Sequence, residues 1–119
     1  MLQTKISCII PTCNRKELLK ITLDSVLNQS LLPDEIFIMN NGDSIIDFSY
    51  LNLSPENNFN IKIVNLPKIT KLAEMLNFGS SLASSEYLAF LEDDDLWEKD
   101  YIKKLSESIT PDFKVYVTR

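Results

Sequence analysis

The chain has 119 residues, 45% of them hydrophobic, and carries 12 basic against 17 acidic side chains, a formal charge of −5 at pH 7. That length and apolar content fit one domain, or part of one, with a real core, while the acidic balance lacks the basic face that nucleic acid or an anionic membrane requires. With no His, two Gly and two Cys, the chain has no Ser-His-Asp or Cys-His nucleophile system, no glycine-rich phosphate or dinucleotide loop, and no zinc site of the usual spacing.

No apolar run approaches the roughly 20 residues of a membrane span, and the first residues lack the basic-then-apolar layout of a secretory leader. The expectation is a reduced, cytoplasmic protein with no transmembrane segment. Residues 6–10 (Ile-Ser-Cys-Ile-Ile) read as a first buried strand, stopped by Pro11. Cys8 packs within it as a small hydrophobe. Cys13 lies in the following turn, and no disulfide between them is expected. Asn14 and Glu17 have the spacing of a capping box, and Leu19, Leu23, Val26 and Leu27 give one apolar helical stripe that ends before Pro33. Residues 36–39 (Ile-Phe-Ile-Met) form a second buried strand that runs into a polar turn, residues 40–44.

Residues 45–58 admit a short helix around Ile45, Ile46, Phe48 and Leu51, or a loop. Residues 61–64 form a short third strand. Ile69, Leu72, Ala73, Leu76, Ser80 and Ala83 make a second amphipathic helix containing Gly79. A fourth, strongly apolar strand covers residues 87–91 and leads directly into Glu92, Asp93, Asp94 and Asp95. Tyr101, Ile102, Leu105 and Ile109 mark a third helix, and residues 115–117 a fifth strand.

Alternating strands and helices imply right-handed crossovers and a mostly parallel α/β sheet. Ligands of such sheets bind beyond the carboxyl ends of the strands. The polar segments 11–15, 40–44 and 92–95 all fall on that edge and converge on one site. Four consecutive carboxylates repel one another, and a hard divalent cation with oxygen ligands is one arrangement that stabilises them. A solvated acidic loop favouring the next helix through its dipole is the other. In an extended segment Glu92 and Asp94 face one way, and Asp93 and Asp95 the other.

Four segments carry a resemblance. Ile9-Ile10-Pro11-Thr12-Cys13-Asn14-Arg15 resembles the opening "IIPTYNR" of the family 2 glycosyltransferases, and Asp34-Glu35-Ile36-Phe37-Ile38-Met39-Asn40-Asn41-Gly42 resembles their "DEIIVVDDG". Asn77-Phe78-Gly79 is similar to their N-x-G, and residues 86–97 to "EYIxFLDDDDxW". The resemblance implies a Rossmann-like, three-layer GT-A nucleotide-binding half, a nucleotide-diphosphate sugar as donor, and Mg²⁺ or Mn²⁺ held through a DxD-type motif. It implies that Pro11 and Thr12 line the base end with Cys13 and Asn14, that Asn40 hydrogen-bonds the base, and that Lys71 lies near the nucleotide. Asp93 would approach the ribose, and Asp94 would reach the metal with Glu92 at the first position of the triplet.

Three positions depart from the family pattern. Cys13 replaces a Tyr that can stack on the base, Asn40 replaces an Asp, and Glu92 replaces another Asp. Asn40 has two readings: an amide that accepts from uracil N3–H, favouring a UDP-sugar, or a turn-former before Asn41 and Gly42. Lys71 on an exposed helix and Gly79 at a packing contact also have purely structural readings.

Family members are generally well over twice this length. The resemblance therefore implies that residues 1–119 are the N-terminal donor-binding part, with the acceptor half and its Asp or Glu base beyond residue 119. The expected function is sugar transfer to a hydroxyl of a saccharide or lipid-linked acceptor, in polysaccharide or glycoconjugate synthesis, by the complete enzyme. The alternative is a catalytically inactive nucleotide-binding or scaffolding module. A sugar-1-phosphate nucleotidyltransferase would need a glycine-rich loop that two glycines cannot supply. An apolar patch promoting self-association is expected, and no nucleic-acid partner.

Overall fold

Residues 5–109 are described by a computed structural model. Four strands, β1 (Ile6–Thr12), β2 (Glu35–Asn40), β3 (Ile61–Asn65) and β4 (Tyr87–Phe90), form one sheet in the order β3-β2-β1-β4. Every pairing is parallel: Cys8 lies opposite Ile36 and Ala89, and Ile36 opposite Ile61. The helices are α1 (Lys16–Leu27), α2 (Leu72–Leu82) and α3 (Tyr101–Ser108).

Burial explains the composition of the strands. β1 and β2 are buried at every residue, as central parallel strands covered on both faces must be, and so read as unbroken apolar runs. On one face Leu19, Leu23 and Val26 of α1 pack on Cys8, Ile10, Ile36 and Ile38. Ile102 of α3 extends that layer against Ile6 and Ala89. On the other face Met75 and Leu76 of α2 cover Ile9, Phe37 and Met39. A Cβ on Gly79 would lie 3.1 Å from Ile9 Cγ2 and 3.3 Å from Met39 Sδ, so this glycine sets how closely α2 approaches the sheet. β3 and β4 are the edge strands among the described residues. Leu88 and Phe90 of β4 are 37% and 52% exposed, where the sequence pattern predicts a buried strand.

Glu35 opens β2 and binds three neighbours at once. Its carboxylate accepts from Ser7 Oγ at 2.8 Å, from the Ser84 N–H at 2.8 Å and from Lys62 Nζ at 2.6 Å. Burial alone would raise its pKa, but the bond from Lys62 and those from Ser84 and Ser7 outweigh it and hold the carboxyl at about 2. Neighbouring Asp34 accepts the Ile6 N–H at 2.8 Å and squares the start of β1. The Asp-Glu pair of the second motif is thus a structural tie at the far end of the sheet from the polar loops.

Two local expectations change and one open reading is resolved. The capping box of Asn14 and Glu17 does not form. Arg15 is the N-cap of α1, no side chain caps it, and Asn14 takes a left-handed φ of 55°. Residues 45–58 form hydrogen-bonded turns rather than a helix, for example Leu51 N–H to Asp47 O at 3.2 Å, and still bury Ile46 and Leu51 against the core. α2 starts at Leu72, leaving Ile69 88% exposed. The strand expected at 115–117 lies outside the described residues.

Candidate functional site

The site begins where the β1–β4 ladder stops. Ile9 O accepts the Leu91 N–H at 3.0 Å. Pro11, two residues on and turned to the same neighbour, has no N–H with which to extend pairing. The ladder ends at the Ile9–Phe90 pair. Beyond it lies a cleft of about 1420 Å³, bordered by Pro11, Thr12, Cys13, Asn41, Glu92, Asp93 and Asp95 on its polar side and by Leu72, Met75 and Phe90 on its apolar side; Asp94 lies outside its lining. A second hollow of about 340 Å³ adjoins it, lined by Asn14, Asn40, Asp43 and Tyr50; Thr12 and Arg15 border both.

The loops after β1 and β2 are tied to each other. Asn14 Oδ1 accepts the Asp43 N–H at 2.7 Å, which its left-handed backbone permits at small cost for an asparagine. A Cβ on Gly42 would lie 2.7 Å from that same oxygen, so the close approach requires glycine. Lys68 pairs with Asp43 at 2.6 Å, and its hydrogen bond and charge hold that carboxyl below the ordinary range.

Asn40 and Asn41 have opposite situations. Asn40 is 3% exposed, and both hydrogens and one lone pair of its amide are used within the protein. Nδ2 donates to Ser44 O at 2.8 Å and Asn65 Oδ1 at 2.9 Å, and Oδ1 accepts the Gly42 N–H at 2.9 Å. Its two hydrogens are committed to the loop, an arrangement that matches the turn-forming reading, while Oδ1 keeps one free lone pair. Asn41 donates Nδ2 to Thr70 O at 2.7 Å, while its Oδ1 is buried and has no partner. An unpartnered buried acceptor costs roughly 1–3 kcal/mol, and this one belongs to a residue that borders the cleft.

The acidic turn also divides differently from the alternation expected of an extended segment. Asp95 N–H donates to Glu92 O at 3.1 Å, closing a turn. Glu92, Asp94 and Asp95 are exposed, and one carboxylate oxygen of each lies within 4.8 Å of the others. Asp93 alone turns inward at 7% exposure. It accepts from Thr12 Oγ1 at 2.9 Å, and Arg15 Nη1 lies 3.3 Å from both Asp93 Oδ1 and Asp94 Oδ2. Three clustered carboxylates are a hard oxygen donor set suited to Mg²⁺ or Mn²⁺, which keep part of their shell as water or substrate phosphate.

Thr22 and Ser25 of α1, with Gln29 just past its C-cap, hold this turn in place. Thr22 Oγ1 is 2.9 Å from Asp93 O and 2.8 Å from Asp95 O, so its single hydrogen is shared between them. Ser25 Oγ accepts the Trp97 N–H at 3.2 Å. Gln29 donates to Glu98 O at 2.6 Å and accepts the Ile102 N–H at 3.0 Å. Thr22, Ser25 and Gln29 recur at helical spacing beside the apolar stripe, a signal the apolar reading passed over. Asn41, Arg15 and Asp95 are likewise additions to the expected site. Lys71 is exposed at the N-cap of α2 and borders neither hollow, although its neighbour Thr70 receives the Asn41 amide.

Residues 7–119 match the family model described as glycosyl transferase family 2. The uncharacterized glycosyltransferase YwdF of Bacillus subtilis (strain 168) is 35% identical over 111 residues, which is 92% of this chain and 40% of that protein. Across the curated relatives matched, the chain spans 10% to 40% of their length. Among solved structures, TarS 1-349 of S. aureus in complex with UDP-GlcNAc superposes with a TM-score of 0.72 at 23% identity, over 87% of this chain and 30% of that one. The mannosyltransferase PcManGT of Pyrobaculum calidifontis, in complex with GDP-Man and Mn²⁺, gives 0.66 at 22% identity, over 82% and 29%. Both likenesses are of fold. Among the described residues no helix is long and apolar enough to cross a membrane.

Proposed function

The chain belongs to glycosyl transferase family 2, and from that premise we propose that it forms the donor side of a sugar transferase, binding a nucleotide-diphosphate sugar across the carboxyl edge of its sheet. The observation that carries this reading is the buried, unpartnered Oδ1 of Asn41, a residue that borders the same cleft as Glu92, Asp93 and Asp95. A base at Asn41 and a diphosphate at Glu92, Asp94 and Asp95 satisfy both ends of the cleft with one ligand.

The roles follow from the chemistry of each group. Asn41 Oδ1 accepts N3–H of uracil, so a UDP-sugar is favoured. Guanine presents two adjacent donors, and the second would face an amide nitrogen already committed to Thr70. Pro11, Thr12 and Cys13 line the cleft wall with no aromatic area for stacking. Asp93, fixed by Thr12, has lone pairs left for a ribose hydroxyl. Glu92, Asp94 and Asp95 would hold Mg²⁺ or Mn²⁺, whose charge would stabilise the departing diphosphate. Asn14 and Asn40 shape the loops around the nucleotide, and Lys71 adds positive charge near the Thr70 loop.

These carboxylates serve the donor, and the reading assigns none of them to deprotonating the acceptor hydroxyl. That step, followed by in-line attack on the anomeric carbon, belongs to the complete enzyme, with a saccharide or lipid-linked acceptor. The exposed Leu72, Phe90 and Leu96 support self-association of this portion.

Calorimetric titration with UDP tests the reading. Affinity is expected to rise on adding Mn²⁺ or Mg²⁺ in the wild type and to lose that gain in Asp94→Ala. An equal metal dependence in the two proteins overturns the metal assignment, and no UDP binding overturns the function.

A further inference from the structure

Arg15 reaches from the N-cap of α1 to the acidic turn after β4. Its Nη1 lies 3.3 Å from Asp93 Oδ1 and 3.3 Å from Asp94 Oδ2. Among the described residues these are the ion pairs that the four consecutive carboxylates make. The side chain is 50% exposed, and an exposed pair of this kind contributes little to stability. It is too weak to serve as a bolt for a turn that Thr22, Ser25 and Gln29 already hold.

Its electrostatic position is more informative. Three carboxylate oxygens of the turn lie within 4.8 Å of one another, with Asp93 beside them, and a single guanidinium faces them. Arg15 and a divalent cation both draw on Asp94. Placed about 5 Å apart in water, their mutual repulsion is large enough to shift an affinity by roughly tenfold. One nitrogen spans both carboxylates, which leaves other donors of the guanidinium fork unused by them. Arg15 also borders both the large cleft and the adjoining hollow. A diphosphate entering the cleft would offer planar, bidentate acceptors within reach of that fork.

We propose that Arg15 is the resident counter-ion of the acidic turn and becomes a ligand of the donor diphosphate, exchanging Asp94 for phosphate when a divalent cation takes that carboxylate. The inference rests on the donor-binding reading above. Arg15 is then a positioning residue that couples the two ligands. It opposes the metal alone and favours metal and nucleotide together, a reciprocal linkage between two sites.

The test uses the chain as it stands, in wild type, Arg15→Ala and Arg15→Lys. Mn²⁺ alone is titrated by the paramagnetic resonance of the free ion, and UDP by calorimetry with and without Mn²⁺. Arg15→Ala is expected to bind Mn²⁺ alone roughly three- to tenfold more tightly and UDP with Mn²⁺ roughly tenfold more weakly. Arg15→Lys keeps the charge without the fork, so it is expected to bind Mn²⁺ as the wild type does and to recover only part of the UDP affinity. Unchanged Mn²⁺ affinity in Arg15→Ala overturns the counter-ion role, and unchanged UDP affinity overturns the phosphate role. If wild type and variants all fail to bind Mn²⁺ or UDP, the donor-binding reading falls and this proposal with it. Normal wild-type binding with no difference among the variants overturns the Arg15 assignment alone.

Discussion

Thr12 Oγ1 donates to Asp93 Oδ2 at 2.9 Å across 81 positions of sequence, and both residues are buried. The bond joins the end of β1 to the turn after β4, the two segments between which the cleft opens. It also turns Asp93 inward while its neighbours Glu92 and Asp94 stay in solvent. Thr12→Val keeps the shape and removes the donor, leaving a buried carboxylate short of a partner. The expected cost is about 1–3 kcal/mol of stability, read as a lower urea midpoint, together with weaker UDP binding. An unchanged midpoint would show that the Thr12–Asp93 bond contributes nothing to holding the turn.

The adjacent amides separate stability from recognition. In Asn40→Asp a carboxylate would face the Ser44 and Asn65 oxygens that now receive both amide hydrogens. Melting is expected to fall by an amount equivalent to roughly 1–3 kcal/mol. In Asn41→Ala the lost Thr70 bond is offset by removal of an unpartnered buried oxygen. Melting should stay close to wild type while UDP affinity falls roughly five- to tenfold. The preference for UDP over GDP is expected to change in Asn41→Asp and not in Asn40→Asp. Competition binding on the two variants decides between the neighbours.

Glu35 predicts an acid transition. Its folded pKa is about 2 against an ordinary 4.5, so the unfolded chain takes up the proton first as pH falls. The stabilisation is complete above about pH 4.5 and is lost between there and pH 2, on the order of 2 kcal/mol. Glu35→Gln is expected to be less stable at neutral pH and to show a flatter dependence over that window. Parallel slopes for the two proteins in urea titrations from pH 5 to 2 would refute the assignment.

Gln29 ties α1 to the segment that carries the acidic turn, through Glu98 O and the Ile102 N–H. Gln29→Leu would leave the Ile102 N–H without a partner, while Glu98 O keeps the Tyr101 N–H at 3.0 Å, with an expected cost of about 1–3 kcal/mol from the one unsatisfied group. Hydrogen exchange should accelerate at Trp97 and Ile102 before the sheet opens. Unaltered exchange at both amides would assign the anchoring to Thr22 and Ser25 alone.

The layers follow from local pattern. Apolar runs at residues 6–10 and 36–39 and the stripe of Leu19, Leu23 and Val26 can be buried only by a helix-covered parallel sheet, and period and composition are local properties that the chain states directly. It also placed the polar loops on one edge, since strand direction follows from the crossovers. Which members of those loops are tied up by neighbours follows from packing between segments remote in sequence. Asn40 and Asn41 are chemically identical and adjacent, and only the partners brought by Ser44, Asn65 and Thr70 distinguish an amide tied into the turn from one whose buried oxygen has no partner. Asn14 has the spacing of a cap, yet it spends its oxygen on Asp43, a residue from another loop. The four carboxylates look equivalent in a row, but the turn between Glu92 and Asp95, together with Thr12 and Arg15 on β1's loop, sends Asp93 inward and gathers the other three. Hydrogen-bond partners remote in sequence are fixed by packing, and packing is what selects one residue from a run of equals.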